Sequence, residues 1–233
     1  CISLAAALAL AVPSFAQVAQ IGDKTYDSLA EFFVAFQSIP TGVPTTITLL
    51  ADVEVDTQIV IPGGKDITLD LNGHTYTFNP TGDNNFYAFF LQQVNVSDPA
   101  VSLTIEDTSA EQTGTIKAIG KANACISATD AALTIHGGRF VQEGSFEYAV
   151  FATEGLVIDP AEGQTVVFPS GGVQLRRASI SPYKEAGATI TGGDFTGDVY
   201  YALYVGETSG GTTVNISGGT FTAGESGSSV CFD

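Results

Sequence analysis

Positive charge is what this chain of 233 residues most lacks: eight Lys plus Arg stand against 25 Asp plus Glu, a formal net charge of -17. A surface of that sign repels phosphate backbones and anionic lipid, so neither nucleic acid nor membrane insertion is expected among its interactions. Cysteine is nearly as scarce. Of the three, Cys1 lies in an apolar leader, and the distant pair Cys125 and Cys231 makes no disulfide framework. Histidine is confined to His74 and His136, and arginine to Arg139, Arg176 and Arg177, which leaves few side chains for acid–base or metal chemistry. Beyond the leader no apolar stretch reaches membrane-spanning length. What the chain does have is glycine, 26 residues of it, with nine prolines and 44% hydrophobic residues. That balance suits many short buried strands joined by Gly-rich turns better than solvated helices.

Residues 1–16, CISLAAALALAVPSFA, read as a signal peptide whose n-region is missing. Ser14 and Ala16 occupy the small-residue positions before a cleavage site, and the cut is expected between Ala16 and Gln17. A buried N-terminal helix is the alternative, disfavoured by Pro13 followed by SFAQ. The reading makes the mature chain secreted or displayed at a cell surface.

From residue 17 onward the chain repeats itself. LTIHGGRF at 133–140 returns as ATITGGDF at 188–195 and VNISGGTF at 214–221. Aligned on the last strand residue before the turn, the anchors are Leu71, Ile105, Ile135, Ile190 and Ile216, and an aromatic follows five positions later in four of them, as Tyr76, Phe140, Phe195 and Phe221. The gap of 55 residues from Ile135 to Ile190 is close to two units, with GLVIDP at 155–160 anchoring a degenerate copy. A second strand signal accompanies each anchor: FYAFFL at 86–91, NACISA at 123–128, EYAVFA at 147–152, YYALYV at 200–205 and GSSVCF at 227–232. A unit of that size cannot bury its own apolar face, and stacking on copies of itself solves the problem. Each copy is expected to put Leu133 and Ile135 inward and Thr134 and His136 outward, with Phe140 stacking on Phe195 and Phe221. Glycine suits the corner because it accepts φ > 0 and lets successive backbones lie close.

These residues, LDLNGHTYTF, LTIHGGRF and ATITGGDF above all, resemble the right-handed parallel β-helix proteins of the bacterial surface, related in fold to pectin lyases. VAQIGDKTYDSLAEFF followed by ITLLADVEV and IVIPGGKDITLDLNG is similar to their N-terminal cap and first coil. The resemblance covers residues 18–233 and implies an all-β solenoid, a right-handed parallel β-helix of about six coils with an N-terminal amphipathic capping helix. Residues 17–40 form the cap. Its helix has a physical signature of its own: Ser28 to Glu31 is S-x-x-E, and Leu29, Phe32, Phe33 and Phe36 fall on one stripe. At the other end the sequence stops at VCFD inside a coil, and continuation beyond Asp233 is expected.

Relatives of this fold include polysaccharide lyases and hydrolases, but the polygalacturonase-type NTD, DD, GHG and RIK motifs are missing. A lyase would need several Asp residues holding Ca²⁺ beside an Arg base on one coil face. No catalytic residue, metal ligand or cofactor is therefore assigned. RRASIS at 176–181 reads as a solvated turn, and each histidine as a solvent-facing strand end. The acidic clusters Asp52/Glu54/Asp56, Asp66/Asp70, Glu106/Asp107/Glu111 and Asp194/Asp198 read as surface charge.

More telling are two apolar files in the second strand signal, Phe89, Cys125, Val150, Leu203, Val230 and, beside it, Phe90, Ile126, Phe151, Tyr204, Cys231. Alternation lets only one file fill the core. The other, with Tyr200 and Tyr201 beside it, is either covered by a loop or the N-terminal region or presented outward. Phe90, Phe151, Tyr200, Tyr201 and Tyr204 are thus the candidate binding residues for a glycan or for a host or neighbouring protein. The functional expectation is an exported, non-catalytic, adhesin-like module. A lyase or hydrolase whose catalytic residues lie outside this fragment, and a structural spacer, are the alternatives; the irregular outward series Asn72, Glu106, His136, Thr191, Ser217 argues against an ice-binding face.

Overall fold

The computed structural model describes residues 17–82, 87–92, 100–129, 131–144, 148–153, 155–175, 187–197, 201–206, 213–223 and 229–232. The expected signal peptide over residues 1–16, together with Arg176, Arg177, Asp198 and Tyr200, lies outside them.

The chain begins with a hairpin, β1 (Ala19–Ile21) and β2 (Lys24–Tyr26), followed by α1 (Leu29–Gln37). Ser28 caps the helix as its sequence promised, its Oγ accepting the Glu31 N–H at 3.3 Å. Phe32 and Phe36 are buried, and Leu29 and Phe33 pack against the same core.

Thereafter the chain visits three sheets in rotation. The first pass is β3 (Pro44–Leu49), β4 (Val53–Val55) and β5 (Ile59–Pro62); the second is β6 (Asp66–Asp70), β7 (Thr75–Phe78) and β8 (Tyr87–Gln92). The third runs β9 (Ser102–Glu106), β10 (Thr115–Ile119), β11 (Ala124–Thr129), and the fourth β12 (Ala132–Ile135), β13 (Gly138–Glu143), β14 (Val150–Ala152). Then come β15 (Leu156–Ile158), β16 (Val166–Ser170), β17 (Val173–Leu175), and β18 (Gly187–Ile190), β19 (Asp194–Thr196), β20 (Leu203–Val205). The last pass is β21 (Thr213–Ile216), β22 (Thr220–Thr222) and β23 (Val230–Phe232).

Each sheet takes every third strand, so the second and third sheets hold seven strands apiece; the first has nine, because β1 lies antiparallel on the edge of β3 and β2 on β1. Every neighbour pair from β3 onward is parallel, as in β12 on β9 or β20 on β17. Seven passes exceed the six or so expected, since 44–62 supplies a complete pass before the first sequence anchor. The degenerate copy is real: β15 pairs Leu156 with Leu133 and Ile158 with Ile135.

Alternation decides what lies inside. Leu133 and Ile135 are wholly buried while Thr134 and His136 are partly exposed. Two register expectations need correction. Ile105 pairs with Leu69 rather than Leu71, a slip of two residues that leaves every side chain on its own face and so is invisible to a period-two pattern. And Phe140 does not stack on Phe195 directly. Phe168 stands between them, giving a ladder Phe140–Phe168–Phe195–Phe221 with centroid spacings of 4.8, 5.0 and 4.7 Å. At the corner before this ladder Gly138, Gly193 and Gly219 share φ near the left-handed region, at 104°, 107° and 102°. At φ of 104° a side chain at Gly138 is strained whatever the space, and its Cβ would also crowd Leu71 Cδ1 at 2.7 Å, so the corner favours glycine.

Candidate functional site

The third sheet settles which of its two files faces out. Inward lie Ile59, Phe89, Ile126, Val150, Val173, Leu203 and Val230. Outward, in register on successive passes, lie Val60, Phe90, Ser127, Phe151, Gln174, Tyr204 and Cys231. Phe90, Phe151 and Tyr204 are therefore neighbours of one face, half-buried, as the expected outward file requires.

Ile126 does not belong to that file. It occupies the Phe89 position in the interior, and Ser127 takes the outward place beside Phe90. The cause is the corner itself, where two consecutive residues are buried in the second to sixth passes, as in Ala88 with Phe89, Ala149 with Val150 and Ala202 with Leu203. Strict alternation fails there. Cys125 fills the small-residue slot that Ala88 fills one pass earlier, its Sγ 3.4 Å from the carbonyls of Ile116 and Val141. Burial pushes this thiol up to about 12, so it is an inert packing group.

The aromatic face is larger than the expected residues. Tyr87 lies 5.7 Å from Phe90 and 6.1 Å from Phe151, and Tyr148 lies 6.1 Å from Phe151 and 6.0 Å from Tyr204. Tyr201 stacks on Tyr204 at 5.5 Å. A continuous run of rings thus crosses from the second pass to the sixth. Tyr87 and Tyr148 were missed, although a signal for them exists: YAFF at 87–90, YAVF at 148–151 and YALY at 201–204 repeat an aromatic three residues before the outward one. Passes three and five, with ACIS and GGVQ in the same places, carry no ring.

Between the aromatic rows the polar residues are covered. Ser127 is 4% exposed and Gln174 5%, and Gln174 Oε1 has no hydrogen-bond partner. Gln174 stands in register between Phe151 and Tyr204. A buried amide oxygen without a donor is unfavourable in the free protein.

The acidic residues divide differently from the surface charge expected of them. Asp70 and Asp107 are buried turn anchors. Asp107 accepts from Gly73 N at 2.8 Å, Ser109 Oγ at 2.8 Å and Gly114 N at 2.6 Å, and Asp70 accepts from Asn72 N, Thr108 N and Thr108 Oγ1. Glu106 lies beside Asp70, and burial first, then the Asp70 charge, raises its carboxyl above the usual range while His136 pulls it back. His136 holds its Nδ1 2.7 Å from the Asp159 carbonyl, and His74 Nδ1 lies 3.5 Å from Asp52 Oδ1. No helix among the described residues is long and apolar enough to cross a membrane.

No protein-family model matches the chain, and no curated protein and no solved structure matches it.

Proposed function

We propose that the protein is an exported, non-catalytic right-handed parallel β-helix that serves as an adhesin-like surface module, binding a glycan or a protein partner through the outward aromatic row of its third sheet. The β-helix reading is supported by the strict rotation of strands among three parallel sheets and by the inward Phe140–Phe168–Phe195–Phe221 ladder. Helix α1 is the cap: its Phe32 and Phe36 bury against the interior, and the β1–β2 hairpin covers the edge of β3 that would otherwise recruit foreign strands.

The observation that carries the functional reading is the half-buried ring series Phe90, Phe151, Tyr204 on the outside of a chain with net charge -17. Outward strand positions on so acidic a chain would ordinarily be polar, and a contiguous aromatic face at such positions marks a recognition surface. The purified protein is screened on immobilised glycans and mucins beside Phe151→Ser and Tyr204→Ser. Binding that both variants lose supports the module; a folded wild-type protein that binds nothing supports the spacer instead.

A further inference from the structure

We propose that Asn72–Gly73 is a site of spontaneous deamidation that the folded chain holds shut through Asp107, so that modification there reports the opening of one corner of the stack. It is the one Asn-Gly pair in the sequence. The aromatic face plays no part in it.

The chemistry needs only the chain and water. The Gly73 nitrogen loses its proton to hydroxide and bonds to Asn72 Cγ, the Cγ–Nδ2 bond breaks, and Nδ2 leaves as ammonia. Water then opens the cyclic imide at one carbonyl or the other, leaving Asp or isoAsp at position 72. Glycine is the neighbour that permits this, because it has no side chain to block the attack and its backbone bends most freely into the ring.

In the structure both reacting groups are engaged. The pair sits at the corner between β6 and β7, with φ of 46° at Asn72 and 78° at Gly73, in a turn closed by the His74 N–H donating to the Leu71 carbonyl at 2.8 Å. Positive φ at both central residues is what Asn-Gly turns favour. The nucleophile, Gly73 N–H, donates to Asp107 Oδ1 at 2.8 Å. A carboxylate there binds the amide proton and opposes the negative charge that its loss would create. Asp107 has no exposed surface, and it is fixed by Ser109 Oγ on the same oxygen and by the Gly114 N–H on the other. The electrophile is held as well: Asn72 Nδ2 donates to the Leu49 carbonyl of the preceding pass at 3.0 Å, and Asn72 N–H to Asp70 Oδ1 at 2.9 Å. Reaction therefore waits for the corner to open, an event that frees the same Gly73 N–H whose hydrogen exchange can be followed. Either product sets a carboxylate against the Leu49 carbonyl and near Asp70, and isoAsp also adds a methylene to the main chain of a tight turn.

The test follows conversion at residue 72 by peptide mass mapping of the purified protein, aged at mildly alkaline pH in native buffer and in urea sufficient to unfold it, beside hydrogen exchange of the Gly73 amide by NMR. Wild type is compared with Ser109→Ala, which withdraws a donor from the oxygen that holds Gly73, and with Asn72→Asp, the product made directly; thermal melts show each variant folded. The expected result is conversion slower in native buffer than in urea by roughly a hundredfold or more, a factor matching the exchange protection of the Gly73 amide within about tenfold. Ser109→Ala is expected to convert about tenfold faster than wild type in native buffer and at the wild-type rate in urea, and Asn72→Asp to melt at a lower temperature. Equal rates in native buffer and urea, or no conversion in urea, overturn the inference. Conversion of the native protein far faster than its exchange allows makes Asp107 a base that promotes the reaction, and overturns it too. A Ser109→Ala protein that converts as wild type in both media overturns the part given to Asp107.

Discussion

Lys65 Nζ donates a 2.7 Å hydrogen bond to the backbone carbonyl of Ile39, across the boundary between helix α1 and the stacked sheets. The same ammonium lies 3.3 Å from the Gln37 carbonyl, 3.5 Å from that of Phe36 and 5.8 Å above the Phe36 ring. Helix α1 has no basic residue in its last turn, so Lys65 supplies from a distant segment the positive charge that a helix C-terminus favours. Replacing it with Met leaves the buried Ile39 and Phe36 carbonyls without their donor and is expected to cost about 1–3 kcal/mol, measured by urea unfolding.

The same lysine has a pH signature. Burial lowers its pKa from 10.5, so between the lowered folded value and 10.5 the unfolded chain binds more protons than the native one. Stability from this group therefore rises with pH across that window. Lys65→Met is expected to remove the rise, read as the difference between unfolding free energies of the two proteins from pH 7 upward.

The stacked phenylalanines are expected to dominate core energetics. Phe168 is wholly buried and stacks on Phe140 at 17° and on Phe195 at 11°. Phe168→Ala is expected to destabilise by about 3–5 kcal/mol. Phe221, half-buried on the last pass, is expected to cost clearly less when truncated, and a denaturant series over both variants checks the ordering.

Much of this architecture was legible in the residues. GGRF, GGDF and GGTF mark corners because only glycine tolerates the left-handed turn, and the phenylalanine that follows must be buried. GLVIDP keeps two apolar residues at the right spacing even where the rest of its pass has drifted. Phe168 was hidden because its pass reads VVFPSGGVQ, with the glycine pair after the aromatic instead of before it. Register was legible only modulo two, which is why Leu71 could stand in for Leu69. At the third-sheet corner even that failed, since Cys125 and Ile126 are both buried. Of the candidate binding face, Phe90, Phe151, Tyr201 and Tyr204 could be read from the two-file pattern.

Tyr76 is a place where the native structure leaves something to gain. Its hydroxyl is buried without a partner, and burial raises the phenol pKa well above the ordinary value. Tyr76→Phe keeps the ring contact with Phe89 at 4.8 Å and removes the unpaired group. The variant is expected to be more stable by about 1 kcal/mol, seen as a higher Tm.

Cys125 and Cys231 are free thiols in different surroundings. In the folded protein Cys231, half-buried on the outward file, is expected to be alkylated by iodoacetamide while Cys125 stays protected until the chain unfolds. Peptide mass mapping before and after denaturation distinguishes the two sites.

Tyrosine emission gives the most direct test of the recognition surface. The chain has no tryptophan and eight tyrosines, and Tyr87, Tyr148, Tyr201 and Tyr204 all belong to the aromatic face. Titrating the protein with a glycan that it retains on a solid support is expected to change that emission saturably. The change should vanish in Phe151→Ser, a substitution that removes no tyrosine. Saturable binding with unchanged emission, and with Phe151→Ser as competent as wild type, would place the ligand elsewhere on the molecule and contradict the account.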